Sequence, residues 1–299
     1  MTEAPNRRIA SVTSESEIHD LGYRRYEGAR IGAGGAWRSL FWQGFRAMFG
    51  LGRPAKSKVI PVFVVVVTNL PILASLSAAS LSQGVFPLRY AQIFGQQLLL
   101  FVLFAAAQAP EVMSRDQQHR VLPLILTRDI TRDAYASARY ASVVWAVFLV
   151  ALAPLLLLYI GEIGIAPQPS EMFGKMGWKI APVLGLATLT SIAVGGVAVA
   201  LAAWTPRRAY ATAAIIGTFL AAAAIAGSVD EMFGMSRQYA DLIDPLRSLR
   251  TEAMLFFGES NRRMEIVKPQ SRWLYAALLA GVGVAAAMLL QLRIRRVSA

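Results

Sequence analysis

The sequence contains no cysteine, and its only histidines are His19 and His119. The absence of cysteine excludes disulfide bonds, cysteine-based zinc sites and thiol nucleophiles. The two histidines lie far apart in the sequence, so a histidine-rich metal site is not expected. The motifs G-x-S-x-G, H-E-x-x-H and G-x-x-x-x-G-K-[ST] are also missing. We therefore expect a protein that is not an enzyme, with no catalytic residue, no metal site, no cofactor and no ATPase site on this chain.

Charged residues are scarce: they make up 16% of the chain, whereas 56% of its residues are hydrophobic and its mean hydropathy is +0.47. No Asp, Glu, Lys, Arg or His lies deep within any of the six apolar runs, 59–80, 89–109, 137–160, 179–203, 209–228 and 273–292. Each run can cross a hydrocarbon core of roughly 30 Å as a helix. The predicted fold class is an all-α membrane protein with six transmembrane helices.

The lack of ionisable residues in these runs also limits how the protein works. Proton-driven transporters place such residues in the membrane, and intramembrane enzymes need a nucleophile, metal ligands or paired carboxylates there. A sodium site made of backbone carbonyls stays open. Amides in lipid often serve as helix–helix contacts, but the polar residues of the runs are also the candidates for a translocation path: Thr68, Asn69, Gln92, Gln96 and Gln97.

Lys and Arg are distributed unevenly between the two sides of the predicted membrane. Twenty of the 30 fall in residues 1–58, 110–139, 204–208 and 293–299. The positive-inside rule assigns these segments, and with them both termini, to the cytoplasm. The net charge of +12 is thus a topology signal. The Arg residues flank the spans instead of forming one basic face, so a nucleic-acid partner is not expected.

The segments outside the spans are predicted as follows. Residues 1–34 form a cytoplasmic N-terminal segment and 293–299 a cytoplasmic tail. Segment 229–271 is extracytoplasmic and too short for a folded ectodomain without cysteine; Asp244-Pro245 starts a helix in it that lies on or dips into the outer leaflet. Residues 35–50 form an amphipathic connecting helix in the headgroup region. Its apolar face consists of Trp37, Leu40, Phe41, Phe45 and Met48.

A charged stretch, residues 110–136, separates the second and third spans. Pro110 suits the first position of a new helix over 111–120, and Thr131 with Asp133 is expected to cap the start of the third span. Arg and Asp are interleaved here, which suits a protein–protein contact set by charge complementarity better than an anionic lipid surface. An ordinary solvated turn with helix caps is an equal alternative from these residues alone.

This stretch resembles the loop between spans two and three of ABC exporter permeases of the six-span, type-two class. The pattern there is an acid, S-R-D, a basic stretch, L-P-L, S/T-R-P, R, Y and a final K. The chain departs from it at Asp129 and Arg139, where proline and lysine are usual. The matching residues are Glu111, Ser114-Arg115-Asp116, His119-Arg120, Leu122-Pro123-Leu124, Thr127-Arg128, Arg132 and Tyr135. YRRYEGAR at 23–30 is similar to a Y-R-x-Y-x-G-x-R leader in a bacterial branch of the class.

The resemblance implies a permease subunit in a bacterial inner membrane, in contact with membrane lipids. It would form a dimer, most simply with a second copy of itself. The sequence does not distinguish this homodimer from a heterodimer of two permeases. Two separate ATPase subunits, which hold the ATP and magnesium, would dock on its cytoplasmic coupling helix and loop. The residues implied in this coupling are Glu111, Arg115, Asp116, His119, Arg120, Arg128 and Arg132, with Arg207 and Arg208 from the turn at 204–208.

A different class of function fits the same residues. The chain could be a membrane scaffold or a passive channel whose charged loop docks a cytoplasmic protein without any nucleotide. The two hypotheses differ in whether an ATPase accompanies the chain. The transported substrate is left open, since lipids, drugs and peptides suit the apolar interior equally.

Overall fold

A computed structural model describes residues 32–82, 88–118, 125, 130–233, 241–259 and 272–296 of the chain. Every regular element in these residues is a helix. Most of the predicted N-terminal segment 1–34 lies outside the described residues, as does much of the second half of the loop 110–136. We number the principal helices α1 (Ala33–Met48), α2 (Val59–Leu81), α3 (Tyr90–Val112), α4 (Ser114–Gln118), α5 (Arg132–Gly164), α6 (Pro169–Met176), α7 (Ile180–Thr190), α8 (Gly196–Trp204), α9 (Arg208–Phe233), α10 (Pro245–Phe257) and α11 (Arg272–Arg296).

Six helical segments among the described residues are long and apolar enough to cross a membrane. Each coincides with one predicted apolar run, so the prediction of an all-α, six-span membrane protein is confirmed at this level. The fourth segment contains α6, α7 and α8, with a short π-helical turn between α7 and α8. The segments are Ala55–Leu81, Tyr90–Gln118, Arg132–Gly164, Pro169–Trp204, Arg208–Met232 and Trp273–Arg296.

The core of the bundle is built from α3, α5, α7 and α8, whereas α2, α9 and α11 expose most of their surface. Small residues let the central helices approach closely. A Cβ atom on Gly195 would lie 3.3 Å from the Val144 Cα, and one on Gly196 would lie 2.9 Å from the Tyr140 hydroxyl. These glycines therefore serve helix packing, which is the role that their small-residue context predicts.

Helix α3 continues through Pro110, which was expected to begin a new helix. Proline has no N–H and so cannot bond the carbonyl four residues earlier, which here belongs to Ala106. The hydroxyl of Thr212 on α9 donates to that carbonyl instead, at 2.9 Å. A donor from another helix thus satisfies the freed carbonyl, and α3 breaks only at Met113.

Helix α1 covers the predicted amphipathic segment, but much of its apolar face contacts protein. Trp37 Nε1 donates to Ser137 Oγ of α5 at 3.0 Å, and Met48 is fully buried. Gly44 permits the close approach, since a Cβ there would lie 2.9 Å from the Ser142 Cβ. The exposed side of α1 carries Trp42. The sequence assigned this apolar face to lipid because a helical wheel cannot distinguish lipid from a neighbouring helix.

Helix α10 packs among the ends of α3, α7, α9 and α11. Asp244 Oδ1 accepts from the Leu246 N–H at 2.9 Å and Pro245 occupies the first turn, so the predicted helix start is confirmed. Gly258 follows the helix with φ +64, a left-handed conformation that glycine adopts without strain. Ser248, Leu249, Thr251, Glu252 and Ala253 are buried. The helix is therefore inserted between the span ends instead of resting on their surface.

Candidate functional site

The short helix α4 is fastened to the last turn of α8. Ser114 Oγ donates to the Ala202 carbonyl at 3.1 Å, and Gln117 Nε2 donates to the Ala203 carbonyl at 2.6 Å. The last four carbonyls of a helix have no partner within it, so α4 caps α8. We call this end of the bundle, which carries α4, the loop end.

Asp116 of α4 is bound to α5. Its Oδ2 lies 2.6 Å from a guanidinium nitrogen of Arg139 and accepts a hydrogen bond from the Tyr135 hydroxyl at 2.8 Å. Arg139 is almost completely buried, stacks over the Tyr135 ring and also donates to Gln43 of α1 at 3.4 Å. One buried ion pair thus connects α4 with both α5 and α1.

Glu111, at the end of α3, lies between two arginines. Arg53, in the turn after α1, donates to Glu111 Oε2 at 2.6 Å, and Arg208, the first residue of α9, pairs with Oε1. The Glu111 side chain is mostly buried. The carboxylate therefore joins the end of α3 to the segment after α1 and to the start of α9.

The beginning of α5 is joined to the end of α11. Asp133 accepts two hydrogen bonds of 2.8 Å from Arg295, and Arg132 donates to the Arg295 carbonyl at 2.9 Å. Thr131 caps α5 as predicted, with Oγ1 accepting from the Ala134 N–H at 3.2 Å. This pair is solvent-exposed and contributes little stability, but it places the C-terminal helix beside the loop.

The structure brings four of the predicted coupling residues into contacts within the chain: Glu111, Asp116, Arg132 and Arg208. Arg207 is exposed and lies over the Tyr210 ring. Arg115 lies on α4, and His119, Arg120 and Arg128 lie outside the described residues. Glu111, Asp116, Arg132 and Arg208 thus take part in separate contacts between segments at the loop end.

Two arginines that bind the carboxylates of Asp116 and Glu111 were missing from the predicted coupling residues. Arg139 stands at the final position of the loop pattern, where lysine is usual, but the sequence did not predict that it pairs with Asp116. Arg53 lies 58 residues before Glu111. No local signal connects residues so far apart, so only the fold could identify Arg53 as a partner.

Three of the candidate path residues are engaged inside the bundle. Thr68 is fully buried and its hydroxyl bonds the Val64 carbonyl of its own helix at 2.8 Å. Asn69 Nδ2 donates to the Val65 carbonyl at 2.7 Å. Gln97 Nε2 of α3 donates to the Thr68 carbonyl of α2 at 2.9 Å. This carbonyl lies three residues before Pro71, which is inside α2. Of the three, only Gln97 makes a contact between helices, the alternative role of an amide in lipid; Thr68 and Asn69 bond within their own helix.

Gln92 and Gln96 lie elsewhere, on the exposed side of α3. They line a partly open cavity of about 400 Å³ between α2 and α3, together with Ser75 and Arg89. Their end of the bundle is opposite the loop end, because α3 begins there. We call it the opposite end.

At the opposite end of the bundle, acidic residues accept hydrogen bonds from the first residues of α3. Glu259 Oε1 accepts from the Ala91 N–H at 3.1 Å; burial raises the pKa of Glu259 above its usual value, while hydrogen bonds from backbone N–H groups oppose the rise. The Tyr90 hydroxyl donates to Glu162 at 2.5 Å, and Lys179 donates to the same carboxylate at 3.0 Å. Both carboxylates therefore bind the first turn of α3 from other segments.

Within the described residues, no group of three or more His, Asp or Glu side chains is arranged to hold a metal ion. The charges of the loop end are instead paired with one another, an arrangement that joins helices mechanically. No family model and no curated protein sequence matches the chain.

Proposed function

We propose that the chain is the permease subunit of an ATP-binding cassette exporter. In this function its spans form the transmembrane path, and separate ATPase subunits on the cytoplasmic side supply the energy through ATP and magnesium. The observation that carries the proposal is the attachment of α4 to both α5 and α8 at the loop end. The resemblance of residues 110–139 to the coupling loop of that class supports it.

The contacts of α4 would transmit a displacement of the loop. Asp116 connects it to α5 through Arg139, and Ser114 with Gln117 connects it to α8. Immediately before α4, Glu111 connects α3 to α9 through Arg208. A partner that pushes on α4 would therefore move the ends of several spans together. Such a rigid-body shift between two packings is how domain motions alter access to a site.

Two kinds of residue would act in coupling. The buried ones, Glu111 and Asp116, transmit force inside the chain. Arg207 is exposed and available to a cytoplasmic ATPase, and the proposal assigns Arg115 of α4 to the same contact. The remaining loop residues of the pattern complete this second group.

The exposed apolar surfaces of α2, α9 and α11 require a cover of lipid or protein. In the proposed assembly a second copy of the chain covers part of them, and membrane lipids cover the rest. The membrane is the bacterial inner membrane, with the loop end and both termini in the cytoplasm. Transport outward follows from the class that the loop resembles.

The first experiment asks whether an ATPase accompanies the chain. The tagged chain is isolated from its native membrane in mild detergent, and co-purifying subunits are identified and assayed for ATP hydrolysis. We expect a soluble ATPase in about equal amount. Arg115→Ala/Arg207→Ala should reduce its recovery, whereas Lys175→Ala, an exposed change at the opposite end, should not.

The second experiment tests coupling in the assembled complex. Hydrolysis by the complex in nanodiscs is compared with hydrolysis by the free ATPase. Replacement of Arg115 and Asp116 together should remove the influence of the membrane subunit on hydrolysis. Isolation of the chain without an ATPase, or wild-type coupling in the double variant, would contradict the proposal. The first result would favour the scaffold or passive channel instead.

A further inference from the structure

The cavity between α2 and α3 is a polar patch on an apolar surface. Farther along the two helices the exposed side chains include Leu70, Leu99 and Leu103. At the cavity, by contrast, the lining includes a guanidinium, two primary amides and a hydroxyl, with Leu88, Ile93 and Ala78 between them. Its volume of about 400 Å³ lies within the usual range of ligand sites. This combination of donors and apolar atoms suits an amphiphilic ligand.

The charge around the cavity favours an anion. Arg89 lines the cavity and is the charged side chain of its lining. The nearby carboxylate is that of Glu259, which is attracted to Arg89 and already accepts from the Ala91 N–H. The amide N–H groups of the glutamines add neutral donors.

The cavity lies near one end of two helices that are long and apolar enough to span a membrane. Helix α3 begins at Tyr90, so with a rise of about 1.5 Å per residue Gln92 lies roughly 3 Å and Gln96 roughly 9 Å along the helix. The headgroup region occupies roughly the outer 5–8 Å of each leaflet. The donors therefore lie within the first two turns of α3, a length comparable to the thickness of the headgroup region.

We infer that this cavity binds the phosphate-bearing headgroup of an anionic membrane lipid. The Arg89 guanidinium and the amides of Gln92 and Gln96 hold the phosphate oxygens, since charge-assisted contacts to phosphate are strong and directional. The acyl chains lie along the exposed leucines, Leu70 of α2 with Leu99 and Leu103 of α3. The site does not depend on the proposed transport function, because binding is measured on the chain alone.

The test is lipid binding by the purified, delipidated chain in detergent. Dioleoyl phosphatidylglycerol and dioleoyl phosphatidylcholine are titrated separately, and bound lipid is counted by native mass spectrometry. We expect about tenfold tighter binding of phosphatidylglycerol, equivalent to about 1.4 kcal/mol. Arg89→Gln should reduce this preference to about twofold, and Gln92→Leu/Gln96→Leu should reduce it several-fold.

The matched control is Lys175→Gln. It also removes one positive charge at the opposite end, but from an exposed side chain paired with Glu171. It should keep the tenfold preference. Thermal unfolding of each variant confirms that the helices are intact.

Three results would overturn the inference. One is an unchanged preference in both cavity variants. Another is displacement of the lipid by millimolar inorganic phosphate, which would assign the site to a free anion. The third uses the absence of native cysteine: spontaneous disulfide linkage of two Gln96→Cys chains in membranes, with exclusion of the lipid, would show that a second copy covers the cavity.

Discussion

The Asp116 carboxylate and the Arg139 guanidinium form a 2.6 Å ion pair in which the arginine side chain is only 3% exposed. Asp116 belongs to the short helix after α3, and Arg139 lies two turns inside α5. A charge this deeply buried is stable only while its partner and hydrogen bonds remain in place. The pair therefore holds the charged loop in one position against the bundle, which makes it a sensitive point for mutation.

Replacing Asp116 by alanine should lower the free energy of unfolding by about 3 kcal/mol, because it leaves Arg139 buried without its carboxylate. The measurement is thermal unfolding of the chain in detergent. Asp133→Ala is the matched control, since it removes an acid from the exposed pair with Arg295 at the same end. That variant should keep a nearly unchanged midpoint. Equal losses in the two variants would show that the burial of Arg139 has no effect on stability.

Thr212→Val should destabilise the chain by about 1 kcal/mol, because the Ala106 carbonyl loses the hydroxyl that bonds it. The loss should largely disappear in a Pro110→Ala background, where a backbone N–H is restored to that carbonyl. A double-mutant cycle of unfolding free energies measures this dependence.

Thr218→Val is the control for this cycle, because the Thr218 hydroxyl bonds the Ala214 carbonyl of its own helix and is exposed. It should have the same small effect with either residue at position 110. If the effects of Thr212→Val and Pro110→Ala on the unfolding free energy were strictly additive, the Thr212 hydroxyl would not be replacing the backbone N–H that proline lacks.

Gly44→Ala should separate α1 from α5, because the new methyl group would meet Ser142. Overpacking of this kind costs about 1–3 kcal/mol. Gly34→Ala, on the same helix, has no atom within 4 Å of the added carbon and should cause no loss. Accessibility of a cysteine introduced at Ser142 to a thiol reagent would report the separation directly. Similar stability of both alanine variants would mean that α1 is not held closely against α5.

Gln97→Leu should lower the free energy of unfolding by about 1 kcal/mol, since it removes the hydrogen bond from α3 to the Thr68 carbonyl. Gln92→Leu is the matched change on the exposed side of the same helix and should leave stability unaltered. Unfolding in detergent at increasing denaturant concentration compares the two. A larger effect of Gln92→Leu would assign it, and not Gln97, to the contact between helices.

Several features of the fold could be predicted because their causes are local. Apolar runs near twenty residues indicate spans wherever they occur, and the caps at Thr131 and Asp244 depend on residues within one helical turn. The prediction that a new helix begins at Pro110 was wrong because the conformation there does not depend on local residues alone. Its outcome depends on Thr212, about a hundred residues later in the chain.

The candidate site shows the same division. The charged composition of residues 110–136 selected the candidate site, yet a sequence does not tell which charges face solvent and which face each other. Glu111 and Asp116 were grouped with Arg207, and only the structure separates these mostly buried, paired carboxylates from that exposed arginine. Gln92, Gln96 and Gln97 were likewise indistinguishable until their faces of α3 were known.

The sequence by itself determined that this is a six-span helical membrane protein with a charged loop, because hydrophobic length and helix capping act over a few neighbouring residues. Only the tertiary structure decided which helix faces meet lipid and which charges pair. Those outcomes follow from the packing of segments far apart in the chain, where a few ångströms determine whether a carboxylate reaches a guanidinium or remains in solvent.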